Sequence, residues 1–364
     1  MQIQENLPLA PFSTFKIGGP ARFFVEARTT SEVGDAVRFA QSESLPLFVL
    51  GGGSNLLISD AGWPGLVLKV AVRAIDERRE GNKVLFEVGA GEDWDKFVAR
   101  AVARNCAGME CLSGIPGSVG GTPVQNIGAY GQEVSETIES VLVFDLKERQ
   151  LRELCNEACG FSYRTSIFNT NERGRFIILR VRYALTPDGK PLLKYADLQK
   201  HFSGWNKQPT LADVQEAVRK IRASKGMLIT PGDEDSRSAG SFFKNPVLSN
   251  AQYRDLSQRA AGKNLQVPSY PGLDEQHKVS AAWLVEHSGF TKGYRQGSAG
   301  ISRKHSLALV NRGNATAADV MALKDQIQER VLEIWNIQLH PEPVFVGFDL
   351  ESESAAAPGR TPSR

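Results

Sequence analysis

The chain has 364 residues, of which 41% are hydrophobic and 8% aromatic, with 43 basic and 41 acidic side chains. This length predicts about two domains whose cores are large enough to be stable without disulfides, which excludes a disulfide-stabilised mini-protein. The formal net charge of +2 is too small to indicate a nucleic acid polymer or a membrane surface as a partner.

Short apolar runs with strand character alternate with two helical patterns between residues 21 and 185. The predicted strands are 22–26, 47–50, 84–88, 141–144 and 176–183, and the predicted helices are 32–40 and 94–106. These patterns are typical of an α+β or an α/β fold. Residues 186–208 contain proline, aspartate and glycine, and they predict a boundary or crossover loop.

A second domain is predicted beyond that loop. Its predicted elements are helices at 211–224, 278–287 and 317–335 and a strand at 307–310, with Trp283 in the core. In the last helix Val320, Leu323 and Ile327 recur at spacings of three and four, and Thr316 and Asp319 predict a capping box. Residues 352–364 have almost nothing to bury and predict a disordered tail.

Two glycine-rich loops lie at predicted joints of the first domain. The first reads Gly51-Gly52-Gly53-Ser54-Asn55, and the second runs from residue 112 to residue 122. Glycine lets backbone amides approach an anion closely, so the two loops could bind the two phosphates of a dinucleotide. Neither G-x-G-x-x-G nor G-x-x-x-x-G-K-[ST] is completed. Taken alone, each loop is also typical of a tight connection between strands, and residues 125–131 also have the composition of an ordinary polar loop.

Five separated motifs match one family in its order. They are 13–21 (STFKIGGPA), 51–55 (GGGSN), 114–120 (GIPGSVG), 125–131 (QNIGAYG) and 240–246 (GSFFKNP). Together they resemble the UDP-N-acetylenolpyruvoylglucosamine reductases from about residue 6 to residue 347, in the longer-loop class that carries a substrate-binding tyrosine. The resemblance implies an α+β fold, with an FAD-binding domain of the vanillyl-alcohol-oxidase (PCMH) type at 1–190 and a smaller α+β substrate-binding domain at 205–348. It also implies a reduction step in peptidoglycan precursor synthesis.

The resemblance implies bound FAD, NADPH as the co-substrate and a UDP-sugar as the small-molecule substrate. Its FAD-binding positions correspond here to Gly51, Gly52, Gly53, Ser54, Asn55, Gly114, Gly117, Ser118, Gly121, Gln125 and Gly128. Its substrate-binding positions correspond to Tyr130, Tyr195, Lys225, Asn245 and Gln296. Lys225 and Tyr195 would contact the diphosphate.

Three residues match the catalytic positions of the family. Ser241 corresponds to the proton donor, Arg164 to the arginine that faces the enolpyruvyl carboxylate, and Glu342 to the glutamate that assists protonation. A planar guanidinium suits a carboxylate better than an ammonium does. Without the resemblance, these residues would be interpreted as a strand-edge serine, a surface ion pair and a solvated loop acid.

Two other functions remain open: another FAD-linked oxidoreductase of the same fold, and a nucleotide-sugar binding protein without redox activity. No metal is expected, because the five histidines are scattered and the pairs Cys106 with Cys111 and Cys155 with Cys159 lack metal-ligand spacing. We expect a cytoplasmic protein, since the first residues do not resemble a signal peptide and no apolar run reaches roughly 18 residues. A monomer is also expected.

Overall fold

The computed structural model describes residues 1–271 and 276–348, so the predicted tail at 352–364 lies outside the described residues. The chain forms two compact units that are interleaved in sequence. Unit 1 comprises Met1–Asn6, Arg22–Gly53 and Gly65–Thr230, and unit 2 comprises Leu7–Ala21, Ser54–Pro64 and the chain from Pro231 onward. The functional division into domains at 1–190 and 205–348 stays a prediction.

Helices and short strands alternate through both units. The strands are β1 (Gln4–Pro8), β2 (Pro20–Ala27), β3 (Leu47–Leu50), β4 (Leu56–Ile58), β5 (Trp63–Val70), β6 (Ile75–Glu80), β7 (Lys83–Gly89), β8 (Cys106–Ala107), β9 (Gly128–Ala129), β10 (Gln132–Glu133), β11 (Ile138–Asp145), β12 (Gln150–Cys155), β13 (Phe176–Pro187), β14 (Val247–Leu248), β15 (Ser269–Pro271), β16 (His277–Val279), β17 (Arg295–Gln296), β18 (Ala299–Ile301), β19 (Leu309–Asn311) and β20 (Val344–Val346). The helices are α1 (Thr30–Ser42), α2 (Trp94–Ala103), α3 (Ala196–Phe202), α4 (Leu211–Ser224), α5 (Asn250–Ala261), α6 (Ala281–Glu286) and α7 (Ala317–Trp335).

Two sheets organise unit 1. One has the order β1-β2-β5-β3, with β3 and β5 parallel, and the other has the order β12-β11-β13-β7-β6, with β8 also paired to β13. The second sheet is antiparallel at each of these pairings. Helices α1 and α2 each bury one apolar stripe in the core of unit 1, which includes Val33, Trp94 and Phe97. The predicted strands and helices of this region are therefore confirmed, although α2 ends at Ala103 rather than at residue 106.

Unit 2 contains the sheets β14-β16-β15 and β17-β18-β19 and the parallel pair β20-β4. Its core is covered by α7, in which Val320, Leu323 and Ile327 are fully buried. The Thr316 side chain accepts a hydrogen bond from the Asp319 amide, and the Asp319 side chain accepts one in return. The predicted helix and its capping box are confirmed.

Two local predictions differ from the structure, and a third is confirmed in part. Residues 186–208 contain α3, because Leu198 and Phe202 bury their side chains in an apolar cluster with α4. The helix predicted at 278–287 begins only at residue 281, where the Ser280 side chain caps it, and His277–Val279 form β16. Trp283 packs against the core of unit 2 as predicted but is only partly buried, and its ring stacks on His287 with centroids 4.3 Å apart.

Candidate functional site

The two glycine-rich loops approach each other closely within unit 1. A Cβ atom on Gly52 would lie 2.5 Å from Gly117 Cα and 2.6 Å from the Ser118 amide nitrogen, so no side chain fits at this position. A Cβ atom on Gly121, by contrast, would meet nothing within 4 Å. The loops therefore form a narrow cradle with bare backbone, which suits a phosphate group.

Ser118 adds a polar group to this cradle. Its hydroxyl is buried and lacks a hydrogen-bond partner among the described residues. A buried hydroxyl without a partner costs free energy, so its presence is explained if a bound ligand completes the hydrogen bond. The cradle and the Ser118 hydroxyl thus fit the diphosphate of FAD.

The loop at 114–121 is held by residues at the start of α2 and just before it. The Trp94 amide donates to the Gly117 carbonyl at 3.1 Å, and the Val119 amide donates to the Glu92 carbonyl at 2.9 Å. These bonds keep the loop in one conformation before any ligand binds, which reduces the entropy lost on binding.

Three candidate site residues, two at 125–131 and one at position 164, have left-handed backbones. The backbone φ angles of Asn126, Tyr130 and Arg164 are 43°, 49° and 57°. These values lie in the left-handed region, which residues other than glycine rarely adopt. Such strain is concentrated at functional sites, where the surrounding structure maintains it. Arg164 donates from Nη2 to the Gly128 carbonyl at 2.7 Å and from Nη1 to the Asn126 carbonyl at 3.4 Å, so its guanidinium plane is fixed.

Lys225, Tyr130 and Tyr195 lie together in unit 1, although they are far apart in sequence. The Tyr130 and Tyr195 rings meet edge to face with centroids 5.4 Å apart, and Lys225 Nζ lies 6.0 Å from the centre of the Tyr130 ring. Lys225 also donates to Asp197 at 2.7 Å. Partial burial is the largest single effect and works against the charged form of Lys225, but the hydrogen bond to Asp197 and the electrostatic interactions with Tyr130, Asp197 and Tyr195 together outweigh it, so the pKa of the ammonium is raised. Burial likewise raises the pKa of the Tyr130 phenol, which stays protonated at neutral pH.

Arg222 is a cation that sequence reasoning missed. It is only 7% exposed, and it donates from Nε to the Gly114 carbonyl at 3.1 Å and from Nη2 to the Met227 carbonyl at 3.0 Å. Burial lowers its pKa, while the nearby Tyr130 and Asp95 favour the charged form. On the sequence Arg222 is one of several basic residues on an amphipathic helix, so no local signal distinguishes it.

Ser241 lies in unit 2 with a hydrogen bond to a histidine. The distance between Ser241 Oγ and His305 Nε2 is 3.0 Å. The two following residues, Phe242 and Phe243, are 0% and 2% exposed. The Ser241 hydroxyl is therefore followed by two buried aromatic side chains, and among the described residues its polar partner is His305.

Glu342 is carried by a segment that pairs with the residues after Ser241. The Glu342 amide donates to the Phe242 carbonyl at 2.8 Å, and the Lys244 amide donates to the His340 carbonyl at 2.9 Å. Asn55 Nδ2 donates to the Glu342 carbonyl at 3.3 Å. The predicted proton donor and the predicted assisting glutamate are thus on neighbouring backbones, and Asn55 is bonded to one of them.

The other predicted site residues have varied surroundings. Gln296 Oε1 is buried without a hydrogen-bond partner among the described residues, as Ser118 Oγ is. The side-chain Oδ1 of Asn245 accepts a hydrogen bond from the Ala281 amide at the start of α6, so this oxygen has a structural role. Gly51, Gly53, Gly114 and Gln125 belong to unit 1, and Ser54 belongs to unit 2. Site assignments in both units stay predictions.

No helix in the described ranges, 1–271 and 276–348, is both long and apolar enough to cross a bilayer.

Two family models match the chain. Residues 21–152 match an FAD binding domain, and residues 231–346 match the C-terminal domain of UDP-N-acetylenolpyruvoylglucosamine reductase. These matches confirm the predicted α+β fold with an FAD-binding domain of the vanillyl-alcohol-oxidase type. They also confirm FAD as the cofactor.

Relatives match nearly the whole chain. The UDP-N-acetylenolpyruvoylglucosamine reductase of Thermobifida fusca is 44% identical over 95% of this chain and 98% of its own length. That of Streptomyces avermitilis is 45% identical over 96% of this chain and 97% of its own length. The crystal structure of UDP-N-acetylenolpyruvylglucosamine reductase from Thermus caldophilus matches with a TM-score of 0.65 and 28% identity, over 95% of this chain and 99% of that one. The chain therefore belongs to the UDP-N-acetylenolpyruvoylglucosamine reductases, a family of FAD-dependent enzymes of peptidoglycan precursor synthesis.

Proposed function

We propose that this chain uses NADPH to reduce the enolpyruvyl ether of UDP-N-acetylglucosamine enolpyruvate to UDP-N-acetylmuramate, with Ser241 as the proton donor. The observation that carries the proposal is the fixed Ser241 hydroxyl, 3.0 Å from His305 Nε2 and on a backbone paired with that of Glu342. A proton donor must be held in place, because its proton has to reach one particular carbon atom.

FAD, when bound, supplies a hydride from N5 to the methylene carbon of the substrate. The proposed holding residues are those implied by the resemblance, Gly51 to Asn55, Gly114, Gly117, Ser118, Gly121, Gln125 and Gly128. The close approach of Gly52 to Gly117 and the buried Ser118 hydroxyl support this assignment. Backbone amides of the two loops would donate to the phosphates, and Ser118 would gain the partner it lacks.

Protonation by Ser241 needs an unusual environment, because a serine hydroxyl is a weak acid. Addition of hydride to the methylene carbon leaves negative charge on the carbon that bears the carboxylate, which is a strong base. The buried rings of Phe242 and Phe243 exclude water from one side of Ser241, so water competes less with the serine for that carbon. Glu342 would orient the hydroxyl or a water molecule at this step.

Arg164 would bind the enolpyruvyl carboxylate and stabilise the charge that develops there. Its guanidinium is already oriented by the carbonyls of Gly128 and Asn126. A donor that is oriented before the reaction loses little entropy and needs no rearrangement as charge develops.

Lys225 and Tyr195 would bind the diphosphate, while Tyr130, Asn245 and Gln296 would contact the rest of the UDP-sugar. Their support is the cluster of Tyr130, Tyr195 and Lys225 in unit 1, and the buried Gln296 oxygen that needs a donor.

We also propose a cytoplasmic monomer. All four cysteines are free, as expected in a reducing compartment, and sedimentation velocity tests the oligomeric state.

The experiment separates the two half-reactions under anaerobic conditions. In the Ser241→Ala variant, reduction of the flavin by NADPH should stay within about twofold of wild type, whereas reoxidation by the enolpyruvyl substrate should slow by about 10²- to 10⁴-fold. Ser288→Ala, which removes another buried serine of unit 2, serves as the control. Equal loss of both half-reactions would show that Ser241 is structural.

A further inference from the structure

His305 is the polar partner of Ser241, and neither motif matching nor residue spacing points to it. The two residues are separated by 64 positions in sequence, and Ser241 Oγ lies 3.0 Å from His305 Nε2. The direction of this hydrogen bond decides what Ser241 can do. If Nε2 accepted, the serine proton would point at the imidazole; if Nε2–H donates, the serine proton is left for another acceptor.

We propose that His305 is a positioning residue whose Nε2–H donates to Ser241 Oγ and so directs the serine proton toward the substrate carbon. The inference rests on the proposed function, in which Ser241 is the proton donor. The bond from Ser241 Oγ to its proton breaks as a bond from that proton to the carbon forms, and the negative charge remains on Oγ. A hydrogen bond from Nε2–H becomes stronger as that charge develops, since its acceptor is then ionised.

The backbone around both residues supports a preformed arrangement. His305 belongs to the turn between β18 and β19, and the Phe242 amide donates to the Leu307 carbonyl of this turn at 2.8 Å. The buried Ser302 Oγ accepts hydrogen bonds from the Lys304 amide at 3.0 Å and the His305 amide at 3.3 Å. The turn therefore holds His305 and the residue next to Ser241 at the same time.

Ion pairs attach the segment before Ser241 to the same turn. Lys304 Nζ lies 2.6 Å from Asp233 Oδ2, and Arg303 lies 3.4 Å from Asp235, whose side chain is 1% exposed. Arg312 Nη1 donates to Asp235 at 2.9 Å. Because Asp235 is buried among these partners, the residues at 233–235 constrain the position of the turn that carries His305.

Nuclear magnetic resonance of the flavin-loaded enzyme, labelled with ¹⁵N histidine, tests the direction of the bond without measuring activity. The His305 signals are assigned by their absence from the His305→Gln variant. We expect a protonated Nε2 at neutral pH, with a shift that changes in Ser241→Ala. An Nε2 that lacks a proton would overturn the proposal, because the serine would then donate to the imidazole.

Kinetics of the substrate-dependent half-reaction test the consequence. His305→Leu should slow flavin reoxidation by substrate about 10- to 100-fold, the range for one hydrogen bond to a charged group. His305→Gln keeps an N–H donor at nearly the same place and should restore the rate to within about threefold of wild type. In a Ser241→Ala background, His305→Leu should have no further effect.

The outcomes separate this inference from the function on which it rests. If substrate reoxidises the flavin slowly in Ser241→Ala but at the wild-type rate in His305→Leu, only the role of His305 is overturned. A Ser241→Ala at the wild-type rate overturns the proton donor itself, and the role of His305 with it. If His305→Gln is as slow as His305→Leu, a hydrogen-bond donor at this position is insufficient and the proposal fails.

Discussion

Lys225 Nζ lies 2.7 Å from Asp197 Oδ2, so the cation proposed to bind the substrate diphosphate already has an anionic partner. Both side chains are about two-fifths exposed, at 41% and 42%. A diphosphate that approaches Lys225 therefore meets a carboxylate of its own sign. Asp197 lies on α3, the short helix that begins directly after Tyr195.

Asp197→Asn should strengthen the binding of UDP. The substitution removes one negative charge beside Lys225 and leaves an amide that can still accept a hydrogen bond from the ammonium. An exposed ion pair is worth at most roughly 1 kcal/mol, which corresponds to about a fivefold decrease in Kd. Isothermal titration calorimetry with UDP at low ionic strength measures the change, which should shrink as salt screens the charges.

The matched control is Glu216→Gln. Glu216 is also paired with a lysine, Lys220, on α4, and both side chains are about two-thirds exposed. This variant has the same change in net charge and should leave the Kd for UDP unaltered. If Asp197→Asn instead weakens binding, Asp197 orients Lys225 for the ligand rather than competing with it.

Local patterns predicted the elements that depend on near neighbours. The three- and four-residue spacing and the Thr316–Asp319 capping box define α7 without reference to the rest of the chain. The pairing of Ser241 with His305 depends on a turn that the β18–β19 hairpin builds, so it became visible only in three dimensions. In the sequence the five histidines are scattered, and their spacing gives no indication of this contact.

The two glycine-rich loops are predicted only in part from the sequence. The sequence predicts two anion-binding loops, but it does not show that Gly52 and Gly117 pack against each other. That packing explains why position 52 needs a glycine. Its φ is not in the left-handed region, so other residues could adopt the backbone conformation itself. The reason is close approach rather than conformational freedom.

Gly52→Ala should weaken FAD binding. The added methyl group would lie 2.5 Å from Gly117 Cα and 2.6 Å from the Ser118 nitrogen, so the two backbone segments would have to separate. Overpacking of this kind costs about 1 to 3 kcal/mol, and a cost in that range weakens the binding of a ligand held between the loops about 5- to 150-fold. The ratio of flavin to protein after extended dialysis, measured by absorbance, reports the loss.

Gly204→Ala is the control for this measurement, because a Cβ atom there would meet nothing within 4 Å. It should retain as much flavin as wild type. Full retention of flavin by Gly52→Ala would show that the loops can separate without loss of affinity and would remove the main support for the cradle.

Asp145 is a buried carboxylate at the end of β11 that sequence reasoning did not single out. Its side chain is 0% exposed; Arg175 Nη2 donates to it at 2.8 Å, and the amide of Lys147 donates at 3.0 Å. Arg152 Nη1 also donates to it, at 3.1 Å. The hydrogen bonds from Arg175 outweigh the effect of burial, so the pKa of Asp145 lies well below its usual range.

Asp145→Asn should destabilise the protein by about 3 kcal/mol at neutral pH, because it removes the buried carboxylate that pairs with Arg175 and leaves that guanidinium only the more exposed Glu172 and Glu148. The folded pKa lies below the unfolded value of roughly 3.9, so the ionised carboxylate contributes its full stability above that value and loses it as pH falls through the folded pKa. The difference in free energy of unfolding between wild type and Asp145→Asn should therefore decrease as the pH falls from about 5 to about 2. Urea unfolding followed by circular dichroism at several pH values measures both effects, and the exposed Asp76→Asn should change neither. If this difference in free energy of unfolding stays constant over the range, packing rather than charge accounts for the lower stability of Asp145→Asn.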